Sequence, residues 1–168
     1  GANGVTADLV AWPAQSSLAP HRDRPTLLVF AHPHCPCTGA TLAELSGLLA
    51  EFAGRVDARI LFCHPSDASV DWWQTDHFAT ALAIRGLRVG TDEHSAEAEN
   101  FGASTSGHVV MYSPGGHVLF SGGITVARGH VGANPGRQAL TAILRGEEPA
   151  TRRTQVFGCP LASQANTL

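Results

Sequence analysis

Two short apolar runs, separated by a segment with helical periodicity, constrain the fold of this chain more than any other feature. The runs cover residues 26–30 and 59–63. Continuous apolar runs of this length, bounded by turn residues, are typical of buried parallel strands. Between them, apolar residues recur at helical spacing, and Gly54 follows as the stop: Leu42, Leu45, Leu48, Leu49 and Phe52. The pattern predicts a βαβ unit with a right-handed crossover.

The segments that follow predict further helices and strands. Residues 66–86 are mostly helical in pattern, and 138–144 form the last helix. The Ser-Pro-Gly-Gly sequence at 113–116 has the residues of a tight turn and predicts a hairpin. The remaining predicted elements are strands at 88–92, 108–112 and 117–120 and a short helix at 95–101.

Cys35 and Cys37 stand where the first strand meets its helix, in the sequence His-Pro-His-Cys-Pro-Cys. A thiol at this place faces unpaired backbone N–H groups and the positive end of the helix dipole, which favour the thiolate. Four cysteines in 168 residues are too few for a disulfide-rich scaffold. The position therefore predicts a redox or metal-binding thiol pair.

The composition excludes some classes of function. The formal net charge is −3 and the chain has no long basic cluster, which argues against nucleic acid as a partner. No stretch reaches the roughly 18 apolar residues of a membrane span. The chain begins at Gly1 and its only methionine is Met111, which is compatible with removal of an N-terminal signal or anchor.

The order of elements, with the cysteines at the end of the first strand, resembles that of the thioredoxin-like superfamily, in particular its extracytoplasmic oxidoreductase and redoxin branch. Residues 27–38 look like the strand and active-site turn of these proteins. The later part of the chain also resembles the second half of this fold, at residues 101–103, 108–120 and 122–123. The resemblance implies an α/β fold: a central mixed sheet flanked by helices, with a helical insertion after the second core strand.

This resemblance divides the chain into three parts. The thioredoxin-like domain is expected at 25–147, after an N-terminal extension or edge strand and loop at 1–24. Residues 148–168 form a C-terminal tail that carries Cys159.

Two departures from the family pattern concern the site itself. The family has two residues between its cysteines, whereas only Pro36 lies between them here. The family also places a cis-proline before the hairpin, where this chain has Ser106 or Gly107, followed by His108. These four residues are the candidates for a substrate groove.

The leading hypothesis is a thiol–disulfide oxidoreductase. By resemblance, Cys35 is the more exposed, attacking thiol and Cys37 resolves the mixed disulfide. His34 lies next to Cys35 and is expected to tune its thiolate. The short spacing strains a disulfide between the two cysteines and predicts an oxidising couple.

A second hypothesis is a module that binds or delivers copper or zinc, whereas the redox hypothesis requires no cofactor. The ends of parallel strands share one edge of a sheet, so several thiols and imidazoles are expected to converge there. Thiolate and imidazole ligands suit both metals. The candidate ligands are His32, His34, Cys35, Cys37, Cys63 and His64. A peroxiredoxin-like peroxidase fits less well, because Thr38 follows the thiols rather than preceding them.

Cys63 and Cys159 are candidates for additional redox thiols. Cys159 could resolve, pair with Cys63, or remain free, and the sequence leaves these options open. Arg128 and His130, in a Gly-rich loop, are candidate groove contacts or merely surface residues.

The expected partner is a protein disulfide or dithiol. The resemblance implies an extracytoplasmic, periplasmic location, with an N-terminal anchor possible in a longer precursor.

Overall fold

This computed structural model describes residues 11–69 and 71–162. Its strands form one sheet, and helices connect most of them. The strands are β1 (Thr26–Ala31), β2 (Asp57–His64), β3 (Leu87–Glu93), β4 (His108–Tyr112) and β5 (Val118–Gly122). The helices are α1 (Thr38–Phe52), α2 (Asp76–Ala83), α3 (Ala96–Asn100) and α4 (Pro135–Leu144). The predicted order of elements is confirmed.

The sheet is mixed, with β1 at its centre and the strand order β3-β2-β1-β4-β5. β1 pairs in parallel with β2, and β2 with β3. β4 is antiparallel to both β1 and β5. Polar and apolar residues do not alternate along β1, because helices or loops cover both of its faces and every residue is buried.

The two faces of β1 contribute to different cores. Leu27 and Val29 pack with apolar residues of α1, α2 and α4. Leu28 and Phe30 pack on the other side with a second cluster that includes Phe101. Helices thus flank a central mixed sheet, as expected for the predicted α/β class.

Two helices differ in extent from their predictions. Among the described residues of the segment 66–86, only Asp76–Ala83 is helical. Described residues before it form turns, and Thr75 accepts a hydrogen bond from Phe78 N at the helix start. α4 begins at Pro135 rather than 138, because the Asn134 side chain caps it by accepting from Arg137 N at 2.8 Å.

After α4 the chain returns along β5 toward the start of β4. Ser121 N donates to Arg152 O at 3.0 Å, and Thr154 N donates to Ser121 O at 3.3 Å. Further on, Ser106 N donates to Cys159 O at 2.7 Å. The C-terminal tail therefore joins the side of the sheet that carries the hairpin.

The expected segments at the two ends lie partly outside the described residues. Of the segment 1–24 the structure describes 11–24, where Trp12 packs edge-on against Phe101 at 5.0 Å between ring centroids. Of the segment 148–168 it describes 148–162. Within the described ranges, no helix is long and apolar enough to span a bilayer.

Asp57 is a buried carboxylate at the start of β2, paired with Arg59 at 2.7 Å and Arg88 at 2.9 Å. Burial raises the pKa of Asp57, but the hydrogen bonds and charges of the two arginines outweigh it and hold that pKa below its ordinary value. The carboxylate therefore stabilises the fold in its ionised form.

We expect Asp57→Asn to lower the free energy of unfolding at neutral pH by about 2 kcal/mol, because both arginines lose their charged acceptor. The lowered pKa makes this contribution complete above the ordinary aspartate pKa of about 4, and the contribution is lost as the pH falls below it. Urea unfolding at neutral and at acid pH measures both. The control is Asp67→Asn, an exposed site, and an equal loss at both pH values would contradict the prediction.

Candidate functional site

The turn between β1 and α1 positions the two cysteines that the sequence singles out. Cys35 N donates to His32 O at 3.2 Å, and Thr38 N donates to Cys35 O at 3.0 Å, so the turn is closed by its own backbone. Cys37 is the N-cap residue of α1. Both thiols therefore lie at the positive end of a 15-residue helix.

A third thiol, from the C-terminal tail, lies directly against this turn. Cys35 Sγ and Cys159 Sγ lie 2.8 Å apart and share a hydrogen bond. The sulfur atoms of Cys35, Cys37 and Cys159 all lie within 4.8 Å of one another. In the described part of the chain, this is the one group of three or more His, Cys, Asp or Glu side chains whose ligand atoms are that close. We call it the three-thiol cluster.

The expectation that Cys35 is the more exposed thiol is wrong. Cys35 is 2% exposed and Cys37 is 7% exposed, since the tail covers the turn. Cys159 is half-buried and is the thiol of the cluster closest to solvent.

Arg128 adds a positive charge to the three-thiol cluster. Its Nε donates to Cys37 Sγ at 3.5 Å, and its Nη2 donates to Cys159 Sγ at 3.4 Å. The Gly-rich loop that carries Arg128 is anchored by Glu44, whose carboxylate accepts from Gly132 N at 2.9 Å. Glu44 also forms an ion pair with Arg137 at 2.9 Å. The guanidinium is thus held beside the sulfurs and favours their thiolate forms.

The thiols of Cys35 and Cys159 have opposite pKa shifts. Burial raises the pKa of Cys35, but hydrogen bonds from the Cys159 thiol, from the backbone of Cys159 and Cys37, and from the Cys37 thiol outweigh it and lower that pKa. Burial, the hydrogen bond to Cys35 and the nearby thiolate charges raise the pKa of Cys159 to about 11, against the opposing effect of Arg128. Cys35 is therefore the sulfur that the site favours as a thiolate.

Comparison with known proteins gives matches to solved structures alone. No family model and no curated protein matches the chain. A hypothetical protein of Sinorhizobium meliloti is 18% identical with a TM-score of 0.72, over 95% of this chain and 97% of that one. An uncharacterized conserved protein of Geobacillus kaustophilus is 18% identical with a TM-score of 0.67, over 86% and 80%.

A third structure is a secreted disulfide oxidoreductase of Mycobacterium tuberculosis described as homologous to Escherichia coli DsbE. It is 14% identical with a TM-score of 0.51, over 73% of this chain and 81% of that one. The chain has a thioredoxin-like fold. At these identities the likeness concerns the fold.

Ser106 is one of the two residues, with Gly107, that the resemblance places where a cis-proline is expected. Its hydroxyl accepts from His32 N at 2.8 Å and lies 3.3 Å from Thr38 Oγ1. No cis peptide bond occurs in the described residues. Ser106 thus ties the hairpin to the cysteine turn through its side chain, and to the tail through its backbone N–H.

Of the four groove candidates, only Pro36 is exposed. Ser106 and His108 are each 2% exposed, and Gly107 is buried with φ at +94°. His108 Nε2 lies 2.9 Å from Ser121 Oγ, and burial lowers the pKa of His108 to about 4. His108 is therefore a neutral residue of the interior and lines no open groove.

The two histidines of the turn contact Trp72 rather than the sulfurs. His34 is exposed, its Nε2 lies 2.8 Å from Trp72 O, and its ring centroid lies 4.3 Å from that of Trp72. Burial, followed by the proximity of His34, lowers the pKa of His32. The hydrogen bonds that shift the pKa of Cys35 come from the other two cysteines, so the expected tuning by His34 has no counterpart among them.

Cys63 and His64 do not join the three-thiol cluster. Cys63 is 2% exposed, and burial together with the charge of Asp92 raises its pKa to about 12, which disfavours its thiolate. His64 Nδ1 pairs with Glu93 at 2.6 Å, and its ring contacts Trp73. The six-residue metal set inferred from the sequence therefore does not assemble as one group of ligands.

Sequence reasoning named Cys159 and Arg128 as candidates without placing them together. The glycine before Cys159 is the sequence feature that accompanies this contact. A side chain at Gly158 would place Cβ 2.1 Å from Ser106 O, so this position requires glycine for the tail to reach the turn.

We predict that the ultraviolet thiolate absorbance titrates with one component below the ordinary cysteine pKa, and that Cys35→Ser removes it. Cys159→Ser should move this component to higher pH, because the hydrogen bond that Cys159 donates stabilises the Cys35 thiolate. The control Cys63→Ala should leave it in place. A component that stays at the same pH in Cys159→Ser would show that the hydrogen bond has no such effect.

Proposed function

We propose that the protein is a thiol–disulfide oxidoreductase whose attacking group is the thiolate of Cys35. The observation that carries the proposal is the hydrogen bond of 2.8 Å between the sulfur atoms of Cys35 and Cys159, at the start of α1. Thiol–disulfide exchange requires a stabilised thiolate and a second thiol within reach of the first sulfur. The cluster supplies both, since Cys37 also lies within 4.8 Å.

The reaction proceeds by two exchanges. The Cys35 thiolate attacks one sulfur of a substrate disulfide, forms a mixed disulfide and releases the other substrate sulfur as a thiolate. A neighbouring protein thiol then attacks Cys35 Sγ, which releases the second substrate sulfur and leaves a disulfide within the protein. Two electrons pass from the protein to the substrate, and an external dithiol restores the protein; the reverse sequence oxidises a dithiol.

Arg128 stabilises the negative charge that moves among the sulfurs. Its guanidinium donates to Cys37 and Cys159, the two neighbouring thiols, one of which must lose a proton to attack Cys35 in the second exchange. A cation beside a thiol favours the thiolate and therefore the second exchange.

The thioredoxin-like fold supports a protein disulfide or dithiol as the partner and an oxidising compartment outside the cytoplasm as the location. The Mycobacterium tuberculosis protein that shares this fold is a secreted disulfide oxidoreductase. A protein disulfide formed during the reaction persists in such a compartment.

The proposal predicts that Cys35→Ser abolishes dithiothreitol-driven reduction of insulin, because the remaining thiols lack the stabilised thiolate. The expected loss is at least about a hundredfold, since general exchange by dithiothreitol alone remains as background. Cys63→Ala, which removes a buried thiol outside the cluster, is the matched control and should keep the wild-type rate. Full activity in Cys35→Ser would refute the proposed function.

Binding of a soft metal ion is a second candidate function, favoured by the three sulfurs within 4.8 Å of one another. Three thiolates suit Cu⁺ or Zn²⁺ and would supply trigonal or, with one further ligand, tetrahedral coordination. Cys35, Cys37 and Cys159 would hold the ion, which replaces the histidine-containing set expected from the sequence. The nearby guanidinium of Arg128 would offset the negative charge of such a complex.

This second function predicts that reduced protein retains stoichiometric Cu⁺ or Zn²⁺ after desalting, measured by elemental analysis. Both Cys37→Ser and Cys159→Ser should lose the ion, and Cys63→Ala should keep it. Failure of the wild-type protein to retain either ion, or retention in Cys159→Ser, would exclude the three-thiol cluster as a metal site.

A further inference from the structure

We propose that residues 158–161, here called the docked strand, deliver Cys159 as the resolving thiol, so that turnover passes through a disulfide between Cys35 and Cys159 rather than between Cys35 and Cys37. This inference rests on the proposed oxidoreductase function and assigns the second exchange to one sulfur. It also means that the backbone edge beside Ser106 is occupied by the protein's own C-terminal tail.

The docked strand pairs with the backbone before β4 as an antiparallel strand. Thr105 and Pro160 are bridge partners. Ser106 N donates to Cys159 O at 2.7 Å, and Leu161 N donates to Ser104 O at 2.9 Å. These bonds place Cys159 at a defined register opposite Ser106, so its sulfur reaches the turn by position in a strand rather than by chance contact.

Two side-chain features keep the docked strand in this register. The absence of a side chain at Gly158 permits its close approach to Ser106 O. Leu161 is 3% exposed and packs in the second core with Phe30 and Tyr112. Burial of this apolar side chain anchors the strand beyond its two backbone hydrogen bonds.

The geometry of the cluster favours Cys159 over Cys37 as the partner of Cys35. Cys159 Sγ lies 2.8 Å from Cys35 Sγ and comes from a separate strand, so a bond between the two closes no small ring. A bond from Cys35 to Cys37 would close a small ring through Pro36, whose φ is fixed. Such a ring stores strain that a bond to the tail avoids.

The docked strand controls access to Cys35. Cys35 is 2% exposed beneath the tail. A substrate disulfide therefore meets Cys35 when the docked strand separates from residues 104–106. The return of the strand brings Cys159 back to the same sulfur.

The electron balance follows from these positions. Cys35 thiolate attacks R–S–S–R′, forming Cys35–S–S–R and releasing R′–S⁻, which takes up a proton. Cys159 loses its proton to solvent and attacks Cys35 Sγ; the bond between Cys35 and R breaks, and R–S⁻ takes up a proton. The products are two substrate thiols and the Cys35–Cys159 disulfide, which dithiothreitol reduces in the assay.

The direct test maps the disulfide in the unmodified protein. Reduced protein is oxidised with an equimolar amount of diamide, and the remaining free thiols are alkylated. Trypsin then separates Cys159 from the peptide that carries both Cys35 and Cys37. Trypsin cuts after Arg55 and Arg153, whereas no Arg or Lys lies between Cys35 and Cys37. We expect peptide 154–168 to be linked to the peptide that carries Cys35. An alkylated, unlinked 154–168 beside an internally oxidised Cys35–Cys37 peptide would overturn the inference.

A trapping experiment tests the second exchange with oxidised glutathione as the substrate. Cys159→Ser should accumulate a glutathione adduct on Cys35, seen as added mass, and should lose at least about tenfold in steady-state turnover, because an intramolecular attack is replaced by a bimolecular one. Cys37→Ser should still form the linked peptide with 154–168. Accumulation of the adduct in Cys37→Ser but not in Cys159→Ser would assign resolution to Cys37 instead.

A glycine pair separates the role of the strand from that of the sulfur. Gly158→Ala keeps every thiol but places a methyl group against Ser106 O, so it should slow formation of the linked peptide by at least about tenfold. The matched control is Gly115→Ala in the hairpin loop, where the nearest atom to the new Cβ is 3.5 Å away. Equal rates in both variants would show that docking of the strand is not required.

The outcomes distinguish this inference from the proposed function. Loss of activity in Cys35→Ser with wild-type turnover in Cys159→Ser would retain the oxidoreductase and remove the docked strand from its mechanism. Full activity in Cys35→Ser would remove both.

Discussion

Burial of β1 on both faces, with hydrogen bonds on both edges, is the constraint on which the other features of the molecule depend. β2 and β4 hold its edges, and the two cores cover its faces. A strand held in this way has little freedom at its carboxyl end, where the chain enters the turn of Cys35 and Cys37. The thiols are therefore presented from the most firmly supported point of the sheet, which is what preorganised chemistry requires.

Close approach of backbones, made possible by glycine, brings the second half of the site to that point. Side chains at Gly123 and Gly136 would place Cβ 2.5 Å from Gln155 O and 1.9 Å from Gly123 O, respectively. The same condition holds at Gly158 beside Ser106. These contacts let the tail and the loop of Arg128 lie directly on the sheet, so that a cation and a third thiol reach the turn. Gly123, Gly136 and Gly158 thus serve the close packing of the backbone.

Prediction from the sequence succeeded where burial alone decides the structure. Each buried strand requires apolar residues along its length, so the runs at 26–30 and 59–63 correspond to β1 and β2. It was less accurate at 66–86, where polar and turn residues compete with the helix and α2 is confined to Asp76–Ala83. The spacing of apolar residues does not predict hydrogen bonds such as the one that caps α2 at Thr75, because they depend on local backbone geometry.

The sequence by itself determined that Cys35 and Cys37 begin the first helix after a buried strand, because strand, turn and helix are contiguous in the chain. Only the tertiary structure decided which other groups join them. Cys159 meets Cys35 across 124 residues, whereas Cys63, on a neighbouring strand, is buried in the second core and stays apart. The reason is that a strand's pattern does not say which way its end residues point or where a distant tail returns. Both are decided by the pairing and close packing of backbones that are far apart in sequence.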